Sequence, residues 1–192
     1  MLCWKKLNSI FNVVMGCLIC VLTVLPQTAT AEGIQIKSAE LRQVNEQYVL
    51  NAQFSVVLTP MLKDALNRGI SLYFITDFDF SEPRWYWFQD SLVHLSRVTR
   101  LSYNTLLRQY LVSGVNTRAR SVDTLDEALN ILGTIDGWPV IARDKLNSST
   151  SYRATLSMQL DTSELPKPIQ INAIATGRWG IDSTPLVWTM TP

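Results

Sequence analysis

Cysteine is confined to the first twenty residues. Cys3, Cys17 and Cys20 are the only three in the chain of 192, so nothing beyond position 20 can form a disulfide, a thiolate metal site or a cysteine nucleophile. Histidine is scarcer still, with His94 alone. A His-based metal site would need ligands of other types. A Ser–His–Asp triad would need Ser91 or Ser96, and no nucleophile-elbow glycines flank either one. The 8 glycines are scattered. They leave no phosphate-cradling loop and no dinucleotide fingerprint, and no HExxH helix occurs. Charge of one sign never accumulates. Outside Lys5 and Lys6, 15 basic residues stand against 16 acidic ones with no like-charge block. That argues against the clustered basic face that nucleic acid requires and against a polybasic patch for a membrane surface. A non-enzymatic protein without metal or cofactor is the expectation.

Long apolar runs are also lacking, with one exception. Lys5 and Lys6 precede the run Ile10 to Leu25, Pro26 ends it, and Ala29-Thr30-Ala31 follows. A basic head, an apolar middle and a small-x-small end are the three parts of a secretory signal peptide. The run is short for a membrane span of ~20 residues, although an uncleaved N-terminal anchor is the alternative. Val14-Met15-Gly16-Cys17 loosely resembles a lipidation box, but the apolar run continues past Cys17, where a lipidated cysteine should end it. Residues 1–31 therefore read as a signal peptide and 32–192 as a single periplasmic domain. About 160 residues suffice for a self-sufficient core.

What the rest of the chain has is alternation. In Tyr48 to Leu58 every even position is apolar, which is the signature of a half-buried strand. Ile34, Ile36 and Leu41 suggest a strand before it, with Asn45-Glu46 as the hairpin turn. Ile70 to Phe80 and Arg153 to Asp161 alternate as cleanly. Residues 84–102 read as one long strand or two with a bulge, and 106–120 as the next strand or pair, with a bend at Ser113-Gly114. Residues 169–175 fit either a strand or a short helix. Thr59-Pro60 through Gly69 carries a cap, a first-turn proline and a glycine stop. Thr124 and Glu127 have capping-box spacing at the head of a second helix. Six or more alternating strands with two short helices predict an all-β, antiparallel two-sheet β-sandwich, immunoglobulin-like in general architecture. A partly open barrel needs the same alternation.

Three groups of residues are candidates for function. His94 lies in a strand pattern, where a structural role is expected. Asp77, Asp79 and Glu82 form D-x-D-x-x-E, with both aspartates on one strand face. They could hold calcium or supply paired carboxylates, or form a solvated strand end paired to Arg84. Trp85-Tyr86-Trp87-Phe88 is the densest aromatic stretch. If extended, Trp85 and Trp87 share one face and Tyr86 and Phe88 the other. An exposed tryptophan pair would stack on sugar rings or dock a partner, and a covered pair would be core.

Read together, Gly69-Ile70-x-Leu72-Tyr73-Phe74, Arg84-Trp85-Tyr86-Trp87, Arg100-Leu101-Ser102-Tyr103 and Arg108-Gln109-Tyr110 resemble a bacterial exported family. Ser121 to Leu132, Leu165-Pro166-Lys167-Pro168, Asn172-Ala173, Trp179 and Trp188 extend the resemblance over most of the chain. The family is domain of unknown function 4390, some of whose members are labelled proline-rich signal peptide proteins. The resemblance implies a periplasmic protein without catalytic residues, accessory to a membrane sensor histidine kinase. The binding residues it points to are Arg84, Trp85, Trp87, Arg100 and Arg108, since guanidinium forks bind carboxylate or phosphate and also stack on aromatic rings. A small-ligand or glycan-binding envelope module is the alternative use of that surface. No nucleic acid partner is expected, and contact with the membrane only through an uncleaved signal.

Cleavage after Ala31 predicts that chain recovered from osmotic-shock fluid begins Glu32-Gly33-Ile34. N-terminal sequencing checks this, and membrane-bound chain that keeps residues 1–31 would identify an anchor instead.

Overall fold

A computed structural model of the chain describes residues 32–82, 91–114, 118–167, 170 and 180–192. The signal segment, the aromatic stretch 84–88 and most of 169–175 lie outside the described residues. Nine strands and two α-helices are described: β1 (Gly33–Val44), β2 (Gln47–Val57), α1 (Pro60–Asn67), β3 (Leu72–Ser81), β4 (Ser91–Asn104), β5 (Gln109–Gly114), β6 (Arg120–Val122), α2 (Leu125–Leu132), β7 (Thr134–Ala142), β8 (Tyr152–Leu160) and β9 (Leu186–Met190). They form a three-stranded sheet, β1-β2-β7, and a six-stranded sheet, β6-β5-β4-β3-β8-β9. Every pairing is antiparallel. The smaller sheet spans the larger, with β1 against β8 and β7 against β4, while α2 covers β5 and β6. The expected two-sheet sandwich with two short helices is the observed architecture.

Alternation selects which face goes inside. On β2, Leu50 and Phe54 are almost fully buried, and Tyr48, Ala52 and Val56 line the same side. On β3 the inner row is Leu72, Phe74, Thr76, Phe78 and Phe80, none more than 2% exposed. Burying each phenylalanine contributes roughly 1.5–3 kcal/mol. The two sheets meet where Phe78 touches Trp138 of β7 at 6.5 Å, and within the larger sheet the aromatic row continues to Trp188 of β9, 6.3 Å from Phe78, and to Tyr152 of β8, 5.2 Å from Phe80. On β1 the apolar residues change parity, from Ile34 and Ile36 to Ala39 and Leu41. A bulge between Ile36 and Ser38 absorbs the change and keeps both sets against the core. The turn at Asn45 has φ 54°, a conformation asparagine tolerates better than most residues.

The helices start where their caps predict. Thr59 Oγ1 accepts from the Leu62 N–H at 3.3 Å with Pro60 in the first turn. Thr124 Oγ1 accepts from the Glu127 N–H at 3.3 Å, and only this half of the expected capping box is made. Two strands escaped the alternation rule. In β7, Gly137 (φ 61°) and Pro139 interrupt the pattern. Both are accommodated because β7 is an edge strand, and the Gly137 N–H is taken by Asn51 Oδ1 at 2.8 Å. In β9 only five residues pair with β8. Residues 106–108, expected to open a strand, lie in the turn 105–108 between β4 and β5.

Gly133 closes α2 at φ −81°, so its backbone needs no glycine. Its carbonyl accepts from the Phe54 N–H at 2.7 Å, and a Cβ there would stand 2.4 Å from the Phe54 carbonyl oxygen. Backbone on both sides cannot yield. Gly133→Ala should therefore destabilise the fold by about 1–3 kcal/mol in denaturant titration, whereas Gly180→Ala, which meets open space, should leave the midpoint unchanged.

Candidate functional site

Of the arginines and tryptophans that the sequence singles out, Arg84, Trp85 and Trp87 lie outside the described residues. Arg100 and Arg108 are placed, and they do different things. Arg100 stands on the outer face of β4. Its Nε and Nη2 donate to Ser71 Oγ at 3.1 and 2.8 Å, and its guanidinium lies 5.7 Å from the centre of the Tyr73 ring. It ties β4 to the start of β3. Arg108 sits in the β4–β5 turn at φ 54° and is exposed.

That turn is a presented tip on a braced base. At the base, Tyr103 and Tyr110 face each other across the hairpin, with ring centres 4.8 Å apart. The Tyr110 hydroxyl donates to Asn67 Oδ1 of α1 at 3.2 Å, and burial pushes the Tyr110 phenol up from its ordinary pKa. On the other side, Gln109 Nε2 donates to Asp123 Oδ1 at 3.0 Å, and Ser121 Oγ donates to Gln109 Oε1 at 2.8 Å. At the tip, Asn104 Oδ1 accepts from the N–H groups of Leu106 and Leu107 at 3.0 and 3.1 Å. The two leucine side chains are 93% and 67% exposed. The tip thus presents two adjacent apolar side chains to solvent.

His94 and Asp79 are direct partners across β4 and β3. The His94 Nδ1–H donates to Asp79 Oδ1 at 2.6 Å, on the solvated outer face that Asp77 shares. The hydrogen bond to Asp79 is the main cause of a raised His94 pKa. The Asp79 charge adds to it, partial desolvation opposes it, and Asp77 contributes a little more. Asp79 thus has a partner in His94; the expected pairing of Asp79 or Glu82 to Arg84 lies outside the described residues. Among the described residues no group of three histidine, cysteine or carboxylate side chains comes together.

A second polar feature lies between the sheets, and the sequence reading missed it. Thr76 interrupts the apolar inner row of β3, and its direct partner on β4 is Arg97, itself in register with inward-facing Leu95 and Leu101. Thr76, Arg97 and Thr99 line a cavity of about 50 Å³ together with Arg118, Arg120 and Thr134. Apolar side chains of α2 and β7 complete the wall. Arg97 is half-buried, while Arg118 and Arg120 reach solvent. Among the described residues no acidic side chain lines this cavity, and none of the three arginines forms an ion pair. Carboxylates stand at neighbouring grooves: Asp126 and Glu127 beside Arg120, and Asp136 near Arg97. The signal in the sequence was two polar residues at apolar-parity positions of adjacent strands. It becomes legible only when the strands are known to pair.

A family model described as Domain of unknown function (DUF4390) matches residues 31–189. No curated protein and no solved structure matches the chain.

The His94–Asp79 pair predicts a titration. Because the folded-state pKa is raised, the pair's contribution is complete below 6.5, the ordinary histidine value, and fades as pH rises through the folded value. In a histidine NMR titration the midpoint should lie above 6.5 in the wild type and fall in Asp79→Asn. An equal midpoint in both proteins would refute the pairing.

Proposed function

The chain belongs to the DUF4390 family over residues 31–189, and on that premise we propose that it is an exported, non-catalytic envelope protein that binds a protein partner. The observation that supports this reading is the β4–β5 tip. Leu106 and Leu107 project into solvent from a turn whose backbone is held by Asn104 and whose base is braced on both sides. Rigid presentation reduces the ordering cost that a flexible loop would incur on docking. Two adjacent leucines suit an apolar pocket. Arg108 beside them favours a carboxylate at its rim, where a charge steers the encounter more than it adds affinity.

The partner we propose is the extracytoplasmic part of a membrane sensor kinase, in line with the export signal expected at residues 1–31. On this reading Arg100, Tyr103 and Tyr110 shape the hairpin and do not contact the partner. Arg84, Trp85 and Trp87 would provide a separate surface if they reach solvent, one suited to a glycan. Tryptophan fluorescence against cell-wall fragments addresses that second reading.

A photo-crosslinker placed at Leu106 in intact cells should give an adduct with the sensor, and one at Thr155 on β8, beside Asp79, should not. Leu106→Ser combined with Leu107→Ser should weaken capture roughly tenfold, equivalent to about 1.4 kcal/mol, with an unchanged melting temperature because both side chains are already in water. Capture unaffected by the double change would remove the tip from the interface.

A further inference from the structure

We propose that the inter-sheet cavity lined by Arg97, Arg118 and Arg120 is a binding site for a small oxyanion of the phosphate class. This goes beyond partner docking and is independent of the β4–β5 tip.

Three observations meet at one place. The first is the charge: three arginines line the cavity, with no acidic residue among the described residues of its wall. A cluster of one sign in a partly enclosed site is unfavourable unless an opposite charge enters it. Guanidinium is the side chain whose fork of N–H donors matches two oxygens of one anion. The second is Thr76. It is 2% exposed, its side chain lines this cavity, and its hydroxyl makes no hydrogen bond among the described residues. A buried hydroxyl without a partner is unfavourable, and valine would fill the same space in a row otherwise made of Leu72, Phe74, Phe78 and Phe80. An oxyanion supplies the missing acceptor. The third is size. A volume of about 50 Å³ exceeds the share of liquid volume of one water molecule, roughly 30 Å³, and is far below the several hundred Å³ of a drug-sized ligand pocket. The cavity fits a single small anion or an anionic group inserted from the mouth, and it excludes a sugar ring or a peptide.

Thr134 is not counted among the free donors, because its hydroxyl already donates to the Asn130 carbonyl at 2.7 Å. Arg120 is shared: it faces the cavity on one side and the groove with Asp126 and Glu127 on the other. Arg97, which comes from a central strand and is half-buried, is the principal anchor. Because Arg97 lies on β4, Arg120 on β6 and the cavity wall on α2 and β7, a bound anion would join four elements across the sandwich.

The test is calorimetric titration of the full chain with inorganic phosphate at ionic strength held constant with sodium chloride. The expected result is saturable binding to one site and a melting temperature that rises with phosphate but not with chloride. Arg97→Gln should weaken the affinity at least tenfold, and Arg153→Gln, on the exposed side of β8, should leave it unchanged. Thr76→Val guards against a folding artefact. It should keep the stability of the free chain or raise it, while weakening phosphate binding. Glycerol 3-phosphate in a parallel titration separates the two sources of the anion. Tighter binding of inorganic phosphate assigns a free ion, and tighter binding of the ester assigns a headgroup entering from the mouth. No saturable binding of either, the same melting shift with chloride, or unchanged affinity in Arg97→Gln would overturn the proposal. A destabilised Thr76→Val chain with undiminished affinity would equally show that the hydroxyl serves the fold and not the anion.

Discussion

The sandwich depends on the inner row of β3. This strand is paired on both sides, to β4 and to β8, so its backbone is fully committed to the ladders and its side chains alone decide how the sheets stack. Phe78 and Phe80 face the smaller sheet and reach Trp138, Trp188 and Tyr152. Four elements separated by more than a hundred residues thus converge on one aromatic layer. Contact between large rings is short-ranged, and the close-packed interior leaves little tolerance for a shift in register. That layer sets β3, β7, β8 and β9 in register with one another.

The same row contains its one exception. Thr76 falls between Phe74 and Phe78, and Arg97 lies directly beside it on β4. An apolar pair at these two positions would extend the core. Instead the core stops, and the space between the sheet, α2 and the head of β7 becomes a polar cavity. The outer face is resolved differently. There, polar residues meet in pairs across β3 and β4, Asp79 with His94 and Tyr73 with Arg100, and water satisfies what remains. The cavity and the outer face contain similar residue types, but at the cavity three arginines of one sign border the same space.

Much of this was legible in the sequence, and the limits have physical causes. The strands β2, β3 and β8 alternate without interruption, and a period of two needs no knowledge of the partner strand. Both helices announced themselves through Thr59 and Thr124, since capping is a local interaction. By contrast, β7 contains Gly137 and Pro139, which argue locally against a strand. They are permitted because β7 has a neighbour on one side only, and that is a fact of topology. Leu106 and Leu107 looked like the start of a strand because apolar residues suggest burial, yet Asn104 binds their N–H groups in a turn and leaves them in water. Among the candidate site residues, Arg100 and Arg108 were visible as residues, but their separation into a brace and a tip was not. The arginines of the cavity were passed over, because no sequence window contains both Thr76 and Arg97 together with Arg120.

The sequence by itself determined the fold class, the absence of cysteine chemistry beyond residue 20, the family resemblance and which face of each regular strand turns inward. These follow from composition and from interactions between residues a few positions apart. Only the tertiary structure decided which strand lies beside which, that the aromatic rings of β3, β7, β8 and β9 share one layer, and that three arginines and the buried Thr76 line a common space. Those outcomes rest on contacts between distant segments, where registers must be chosen jointly and no local pattern specifies the choice.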